Sequence, residues 1–384
     1  MLSFVGIAAA LVGLSSQAPV QQQDGHIPLD SATWEISGDG SRIEEYKGVR
    51  ALRMRTGRAI NRKVRMRDGT IEYDMEVTPN RSFVYTTFRT QSEEESEEIY
   101  FRPHKSSLPD AFQYTPSWNG ESTWQLYHGP GSTAAVPLPR GAWIHVRLVV
   151  SGSRAAMFLG KEEKPSLVMA LAREPAEGYI GLQAFTPVGG APKGEMVAAF
   201  ANVVVRPNHV PYDFGPETVA AKPAGLVERW QVSLPYAAKL GAPVTTLPDS
   251  LMKSRARWPT FAVEPTGVVV LSRHVKRTAE QMTAIARLVL RAEREGVQPL
   301  RLGFSDYVTV LANGRPLFAG DAHYSFDAPR QEGLIALSQS TVWLPLVRGE
   351  NEILFVLSDT FGGWGLIAQL DPASGVEVVA TPPR

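Results

Sequence analysis

Between Ile71 and Val77 the apolar side chains Ile71, Tyr73, Met75 and Val77 alternate one for one with Glu72, Asp74 and Glu76. A period of two puts successive side chains on opposite faces, so this stretch buries a coherent apolar face only as an extended strand. The same alternation runs through residues 30–80, where Arg53 and Arg55 flank Met54 and Arg65 and Arg67 flank Met66. That is the pattern of antiparallel strands with one solvated face. With 33 Gly, 29 Pro and few long apolar periods, the remainder reads as many short strands joined by turns.

At 384 residues the chain is longer than one typical core requires, which points to two domains. In residues 24–207, strands are expected at Phe83–Arg89, Glu98–Arg102, Gln113–Tyr114, Trp124–Tyr127, Trp143–Val150, Ala155–Leu159, Gly178–Phe185 and Val197–Arg206. Residues 208–225, rich in Pro, Gly and Ala without a strand period, read as a linker. In residues 226–384, Pro299–Leu311 and Arg315–Phe318 flank Asn313-Gly314, the strongest short hairpin signal of the chain. Trp343–Leu346, Ile353–Ser358 and Trp364–Leu370 continue the pattern. The segment 278–295 is ambiguous: Ile285, Leu288, Val289 and Ala292 have helical spacing and Thr278 with Gln281 resembles a capping box, yet alternation is also present. The surrounding strands favour a strand over its second half. The expected fold class is therefore all-β, with two β-sandwich (jelly-roll) domains in tandem.

Residues 1–23 read as a signal peptide and polar spacer. Leu2–Leu14 is apolar but too short to span a bilayer, and Ser16-Gln17-Ala18 fits a cleavage site, although the n-region lacks Lys and Arg. A secreted or periplasmic bacterial protein is expected. Formal net charge is zero, from 39 basic and 39 acidic residues, which gives no case for nucleic acid or an anionic membrane surface. With no cysteine, disulfides and thiol chemistry are excluded. Lys47–Arg67 holds nine basic residues and Glu93–Glu98 five acids, which reads as two complementary solvated strand faces.

Residues 97–129 gather seven aromatic rings: Tyr100, Phe101, Phe112, Tyr114, Trp118, Trp124 and Tyr127. Among them sit Arg102, His104, Gln113, Asn119, Gln125 and His128. Flat rings that stack on pyranose faces, beside planar groups that read hydroxyls, are the materials of a sugar site. The expected ligand-binding set is Tyr100, Arg102, His104, Gln113, Tyr114, Trp118, Trp124 and Gln125, with a polysaccharide or glycan as partner. The alternative for the same residues is a sandwich core with polar rims.

The run GAWIHVRLVVSGSRAAMFLG, then GYIGLQAF, then AAFANVVVRP, resembles the last strands of the laminin-G-like, concanavalin A-like sandwich of lectins and glucanases. It also resembles the domain of unknown function associated with 3-keto-disaccharide hydrolysis. The resemblance covers about residues 30–207 and specifies fold better than activity. RLGFSDYVTVLANGRPLFAG followed by WLPLVRGENEILFVLSDTFGGWGLIAQL is similar to the galactose-binding-like jelly roll appended to many glycosidases.

The glucanase resemblance implies roles for Glu72, Asp74 and Glu76 as a catalytic set, the first Glu as nucleophile and the last as acid/base. Period two places all three on one face, about 7 Å apart. GTIEYDMEV equally fits non-catalytic laminin-G-like domains and lacks Trp-rich flanks. The seven His are scattered without metal-ligand spacing. No cofactor is evident; such sandwiches commonly hold calcium, and no ligand set stands out for it. Asp306 and Asp359 read as polar rims or turn caps of the second sandwich. The favoured reading is an exported glycan-binding accessory protein. The alternatives are a glycoside hydrolase using the Glu72/Asp74/Glu76 strand and a structural protein-binding module.

Overall fold

The computed structural model describes residues 25–379 apart from 39, 218–220, 327 and 329–330. The N-terminal apolar stretch and Ser16-Gln17-Ala18 lie outside the described residues. Among these, the chain is all-β, with two sandwiches in tandem. The first combines two antiparallel sheets drawn from residues up to 207. A front sheet orders Glu35–Ser37, Gly57–Met66, Gly178–Phe185, Phe83–Ser92, Glu95–Phe101, Phe112–Trp118 and Thr133–Ala134. A back sheet orders Leu167–Ala170, Arg154–Leu159, Ile144–Ser151, Gly69–Val77, Ala198–Pro207, Val49–Met54 and Arg42–Tyr46.

Side-chain parity decides what each sheet buries. Ile71, Tyr73 and Met75 of the back sheet point inward with Val84, Phe88, Ile99, Phe101 and Phe112 of the front sheet. Thr86 Oγ1 donates to Tyr73 Oη at 2.7 Å across this core, satisfying a phenol that burial would otherwise strand. The second sandwich repeats the plan. Thr283–Ala292, Gly349–Ser358 and Tyr307–Ala312 form the middle of one sheet, and Gly365–Leu370 with Gly296–Ser305 the middle of the other. Residues 208–217 lie along the back sheet. Tyr212 and Phe214 cover Phe158 and Val149, and Arg154 donates to the Phe214 carbonyl at 3.0 Å and the Gly215 carbonyl at 2.8 Å.

Several local expectations change for identifiable reasons. Thr283–Ala292 is a strand, paired along its whole length with Gly349–Ser358. The Thr278 hydroxyl accepts from Gln281 N at 3.1 Å as a cap would, but it closes a turn ahead of the strand. Asn313 and Gly314 have φ of 49° and 77° and join Tyr307–Ala312 to Arg315–Asp321, the twist-matched two-residue turn that their sequence specifies. Pro299–Leu311, expected as one strand, is two: Ser305 pairs with Gly365 in one sheet, and Tyr307 pairs with Ser358 in the other. Trp124–Tyr127, expected as a strand, is a turn, because Gln113 Nε2 donates to the carbonyls of Trp124 and Tyr127 and takes them from any ladder.

One apolar cluster runs through both sandwiches, with Leu126 of the first meeting the Gly363–Gly365 segment of the second. The seam beside it is polar. Gln125 Oε1 accepts from Ser305 Oγ at 3.0 Å, and its Nε2 donates to the Glu332 carbonyl at 3.2 Å. Gly333 and Gly362 make room for that amide: a Cβ on Gly333 would lie 1.9 Å from Nε2, and one on Gly362 2.3 Å from Oε1. Both have positive φ, so glycine is demanded twice over. Asp306 Oδ2 accepts from Thr360 N at 2.9 Å and Thr360 Oγ1 at 2.6 Å, holding the loop that presents Phe361 to the seam.

Candidate functional site

The outer face of the front sheet is where planar groups accumulate. Strand register aligns them: Arg58 stands opposite Gln183, Gln183 opposite Tyr85, Tyr85 opposite Tyr100, and Tyr100 opposite Gln113. One lateral row therefore crosses five strands, about 19 Å at the usual interstrand spacing. The neighbouring row reads Ile60, Gly181, Thr87, Glu98 and Thr115. Gly181 carries no side chain between Ile60 and Thr87, and a Cβ there would come within 2.4 Å of Thr87 Oγ1. On the other flank Phe185 pairs with Phe83, whose ring lies 5.5 Å from that of His104 and 6.2 Å from that of Tyr100.

Tyr85, partly exposed, is the centre of this surface, and Tyr100, buried at 2% exposure, stacks against it with centroids 4.8 Å apart. Gln113 fixes Tyr100 by accepting from its hydroxyl at 2.7 Å, and accepts from Arg102 at 2.6 Å. The Arg102 guanidinium lies 4.7 Å from the Tyr100 ring centroid and 5.8 Å from that of Trp124, while its Nη1 donates to the Asp110 carbonyl at 2.8 Å. Trp124 meets Tyr324 of the second sandwich edge-on at 5.6 Å and Phe361 at 6.1 Å. The second unit thus supplies one wall of the face, and Arg81 from the first donates to Tyr324 Oη. Phe185 at 41% and Phe361 at 56% are the exposed rings on either side.

Glu98 lies half-buried in this face. Ser96 Oγ donates to its Oε1 at 3.2 Å and Ser122 donates as well, while burial pushes the carboxyl up to about 7. Its sequence neighbour Glu97 points the other way, into the core. Burial also pushes Glu97 up to about 7, and Tyr114 Oη donates to it at 2.7 Å. The expectation that Glu93–Glu98 forms one solvated acidic face is corrected by this parity: Glu97 has no exposure, whereas Glu93 does meet Arg58 at 2.6 Å. His104 is pushed down to about 4 by burial and by Arg81, Lys105 and Arg102 beside it, so its imidazole is neutral at pH 7.

Of the binding residues expected from sequence, Tyr100, Arg102, His104 and Trp124 come together on this side of the sheet; His104 and Trp124 are partly exposed, whereas Tyr100, Arg102 and the bracing Gln113 are buried beneath the face. Tyr114 does not join them. It is the neighbour of Gln113 on a strand and so faces the core, fully buried. Trp118 is buried at the seam, with the guanidiniums of Arg173 and Arg273 at 4.2 Å and 4.9 Å from its ring. Gln125 is the seam amide already described. Sequence reasoning missed Phe83, Tyr85, Glu98, Gln183 and Phe185, as well as Tyr324 and Phe361 from the other unit. The alternation of Phe83, Tyr85 and Thr87 with Val84, Thr86 and Phe88 was the available signal.

Glu72, Asp74 and Glu76 occupy the outer face of the back sheet, separated from the aromatic face by the core. Each carboxylate is engaged there. Arg206 donates to Glu72 at 2.5 Å, and His145 Nε2 lies 3.2 Å from it, a donor there when the ring is an imidazolium. His145 and Asn202 donate to Asp74 at 2.9 Å and 2.7 Å. Lys47 and Tyr46 donate to Glu76 at 2.8 Å and 3.2 Å. The rings beside them are Tyr46, which bonds Glu76, and Trp143, which packs edge-on against Tyr46 at 6.1 Å, and the basic partners come from Lys47, His145 and Arg206 rather than from Arg53–Arg67. Among the described residues no group of three or more His, Asp or Glu is arranged to hold a metal ion.

No protein-family model matches the chain, and no curated protein matches it. Solved structures with similarity include the carbohydrate-binding module CBM66 from Bacillus subtilis, at 14% identity and TM-score 0.34, covering 45% of this chain and 94% of that one. A Bacillus licheniformis β-glucanase is similar at 11% identity and TM-score 0.35, covering 49% of this chain and 100% of that one. A Bacillus subtilis protein of unknown function with a galectin-like fold is similar at 13% identity and TM-score 0.34, covering 45% and 88%. Nothing in the chemistry of the face rests on these likenesses.

Proposed function

We propose that the protein is a glycan-binding protein and that the outer face of the front sheet, walled by Tyr324 and Phe361, is its binding surface. The observation that carries this reading is the register-aligned row Arg58, Gln183, Tyr85, Tyr100 and Gln113 with its stacked tyrosines. The partly exposed Tyr85 and the exposed Phe185 and Phe361 supply flat apolar contact for pyranose faces, and Arg58 and Gln183 beside Tyr85 supply donors and acceptors for hydroxyls, while Gln113 and Arg102 brace the row from beneath. Because Gln113 and Arg102 are held by neighbours, the surface is ordered before a ligand arrives, which reduces the entropy lost on binding. The second unit, in this reading a galactose-binding-like sandwich, serves as the wall. Export to the periplasm or beyond belongs to the same proposal.

The test is retention of the purified protein on a panel of immobilised polysaccharides, with reducing ends assayed on each one retained. Retention without release, lost in Tyr100→Ala, is the expected result. Release that persists in Tyr100→Ala and disappears in Glu72→Gln would move the activity to the back sheet and overturn the proposal.

A further inference from the structure

Resting on the glycan-binding reading of this face, we propose that Glu98 is its specificity-determining group: the ionised carboxylate accepts from two neighbouring hydroxyls of a neutral sugar, so the ligand presents a vicinal diol. The geometry is that of an acceptor left open. Glu98 sits one row from the stacked Tyr85 and Tyr100, between Thr87 and Thr115. Its only side-chain donors are the hydroxyls of Ser96 and Ser122, and no Lys or Arg among the described residues pairs with it. An ionised carboxyl has about four acceptor positions, so two serines leave capacity for more donors. A sugar packed on the partly exposed Tyr85, which Tyr100 backs, brings adjacent hydroxyls to the partly exposed Glu98 carboxylate in the next row, and hydrogen bonds to a charged acceptor are the stronger kind.

Charge selects among sugars. An acidic sugar would place a second negative charge against Glu98 and is disfavoured. The titratable groups that face Glu98 are Tyr85 from one neighbouring strand and Tyr100 from its own, both pushed up by burial and neutral throughout the physiological range. The strands Phe112–Trp118 and Glu121–Ser122 present Thr115 and Ser122, which do not titrate; Glu121 engages Arg277. Glu98 is therefore the group on this part of the face whose charge changes near neutrality. A ligand that requires the ionised form binds more weakly as pH falls through about 7.

The experiment measures affinity for laminarin, barley β-glucan, xylan and alginate, by calorimetry at pH 6 and pH 8, with the protein, Glu98→Gln, Glu98→Asp and Tyr100→Ala. The expected result is a neutral glycan bound about tenfold more tightly at pH 8 than at pH 6. Glu98→Gln should bind weakly and equally at both values, and Glu98→Asp should keep a pH dependence. Equal affinity of the protein and a folded Glu98→Gln at pH 8, with binding lost in Tyr100→Ala, would overturn the Glu98 assignment while sustaining the face. Preference for alginate would also overturn it. Binding of any glycan that survives Tyr100→Ala would overturn both the face and the assignment. Should Glu98→Gln fail to fold, a flat pH profile in Glu98→Asp and the parent protein alike decides against the proposal.

Discussion

Tyr85 and Tyr100 stand opposite each other on neighbouring antiparallel strands, with ring planes 29° apart and centroids separated by 4.8 Å. The pair is held from one side only. Tyr100 Oη donates to Gln113 and accepts from Arg102, whereas Tyr85 pairs laterally with Gln183 and remains partly open. Removing the less anchored ring tests the surface with least disturbance to the fold. Tyr85→Ala should weaken glycan binding about tenfold, or about 1.4 kcal/mol. Thermal melting of the variant, expected within a few degrees of the parent, checks that the loss is one of contact.

Gln113 is the brace of the face. Its oxygen accepts from Tyr100 and Arg102 and its nitrogen donates to two carbonyls of the Trp124–Tyr127 turn. Gln113→Leu keeps volume but leaves those buried groups unmatched, at about 1–3 kcal/mol for each left unsatisfied. Urea denaturation should show a loss of at least about 2 kcal/mol; an unchanged midpoint would mean that the turn is held elsewhere.

How much of this was legible in sequence follows from what a side-chain pattern encodes. Alternation with a period of two identified the strands around Ile71–Val77, and Asn313-Gly314 identified its hairpin, because both are local. It could not assign Tyr114 and Gln113 to opposite faces without a decision on which face was the core, and both residues looked equally suited to a site. Gln113 also turned the expected strand Trp124–Tyr127 into a loop through a contact eleven residues away in the chain. Tyr85 and Glu98 become neighbours of the site only through interstrand register, and Phe361 only through packing of the second unit. The acidic strand offers a catalytic alternative in sequence because Glu72, Asp74 and Glu76 do share a face. Which sheet bears that face, and that His145, Arg206 and Lys47 occupy it, is tertiary information.

The back-sheet carboxylates make a separate prediction. Hydrogen bonding to Asp74, followed by attraction to Asp74 and Glu72, raises His145 above its ordinary value against the effect of burial. Asp74→Asn should lower the His145 titration midpoint, read by NMR, and leave glycan retention unchanged. Because the folded-state pKa is raised, His145 contributes stability that is present below about 6.5 and lost as pH rises through the folded value.

Arg277 joins the two sandwiches electrostatically. Its guanidinium contacts Glu121 of the first unit and lies 3.0 Å from Asp359 of the second, which is fully buried. Burial, and then Glu121 beside it, pushes Asp359 well above the ordinary carboxylate range. Arg277→Ala leaves the two acids without their cation and should cost about 3–5 kcal/mol at pH 8. Protonation relieves the defect, so the loss measured by urea denaturation should shrink toward pH 5. A loss independent of pH would assign Arg277 a packing role instead.

Glu97 and Glu98 allow the last prediction, since adjacent residues with similarly raised pKa values have opposite surroundings. Glu97 is fully buried and pushed from 4.5 to about 7, mainly by burial, with hydrogen bonding from Tyr114 and the charges of Arg89 and Arg173 opposing the rise. The folded protein therefore holds a proton on Glu97 that the unfolded chain releases, and this contribution to stability is complete below 4.5 and lost as pH rises through about 7. The shift corresponds to about 3 kcal/mol. Glu97→Gln retains an acceptor for the Tyr114 hydroxyl and removes the ionisation. It should be close to the parent in stability at pH 5 and more stable by up to about 3 kcal/mol at pH 8, with glycan affinity keeping its pH dependence. Glu98→Gln should change the stability profile by a similar amount, since burial pushes that carboxyl up to about 7 as well, but it alone should flatten the pH dependence of glycan affinity. If the two variants exchange these phenotypes, the assignment of the core and binding faces on the strand Glu95–Phe101 is inverted.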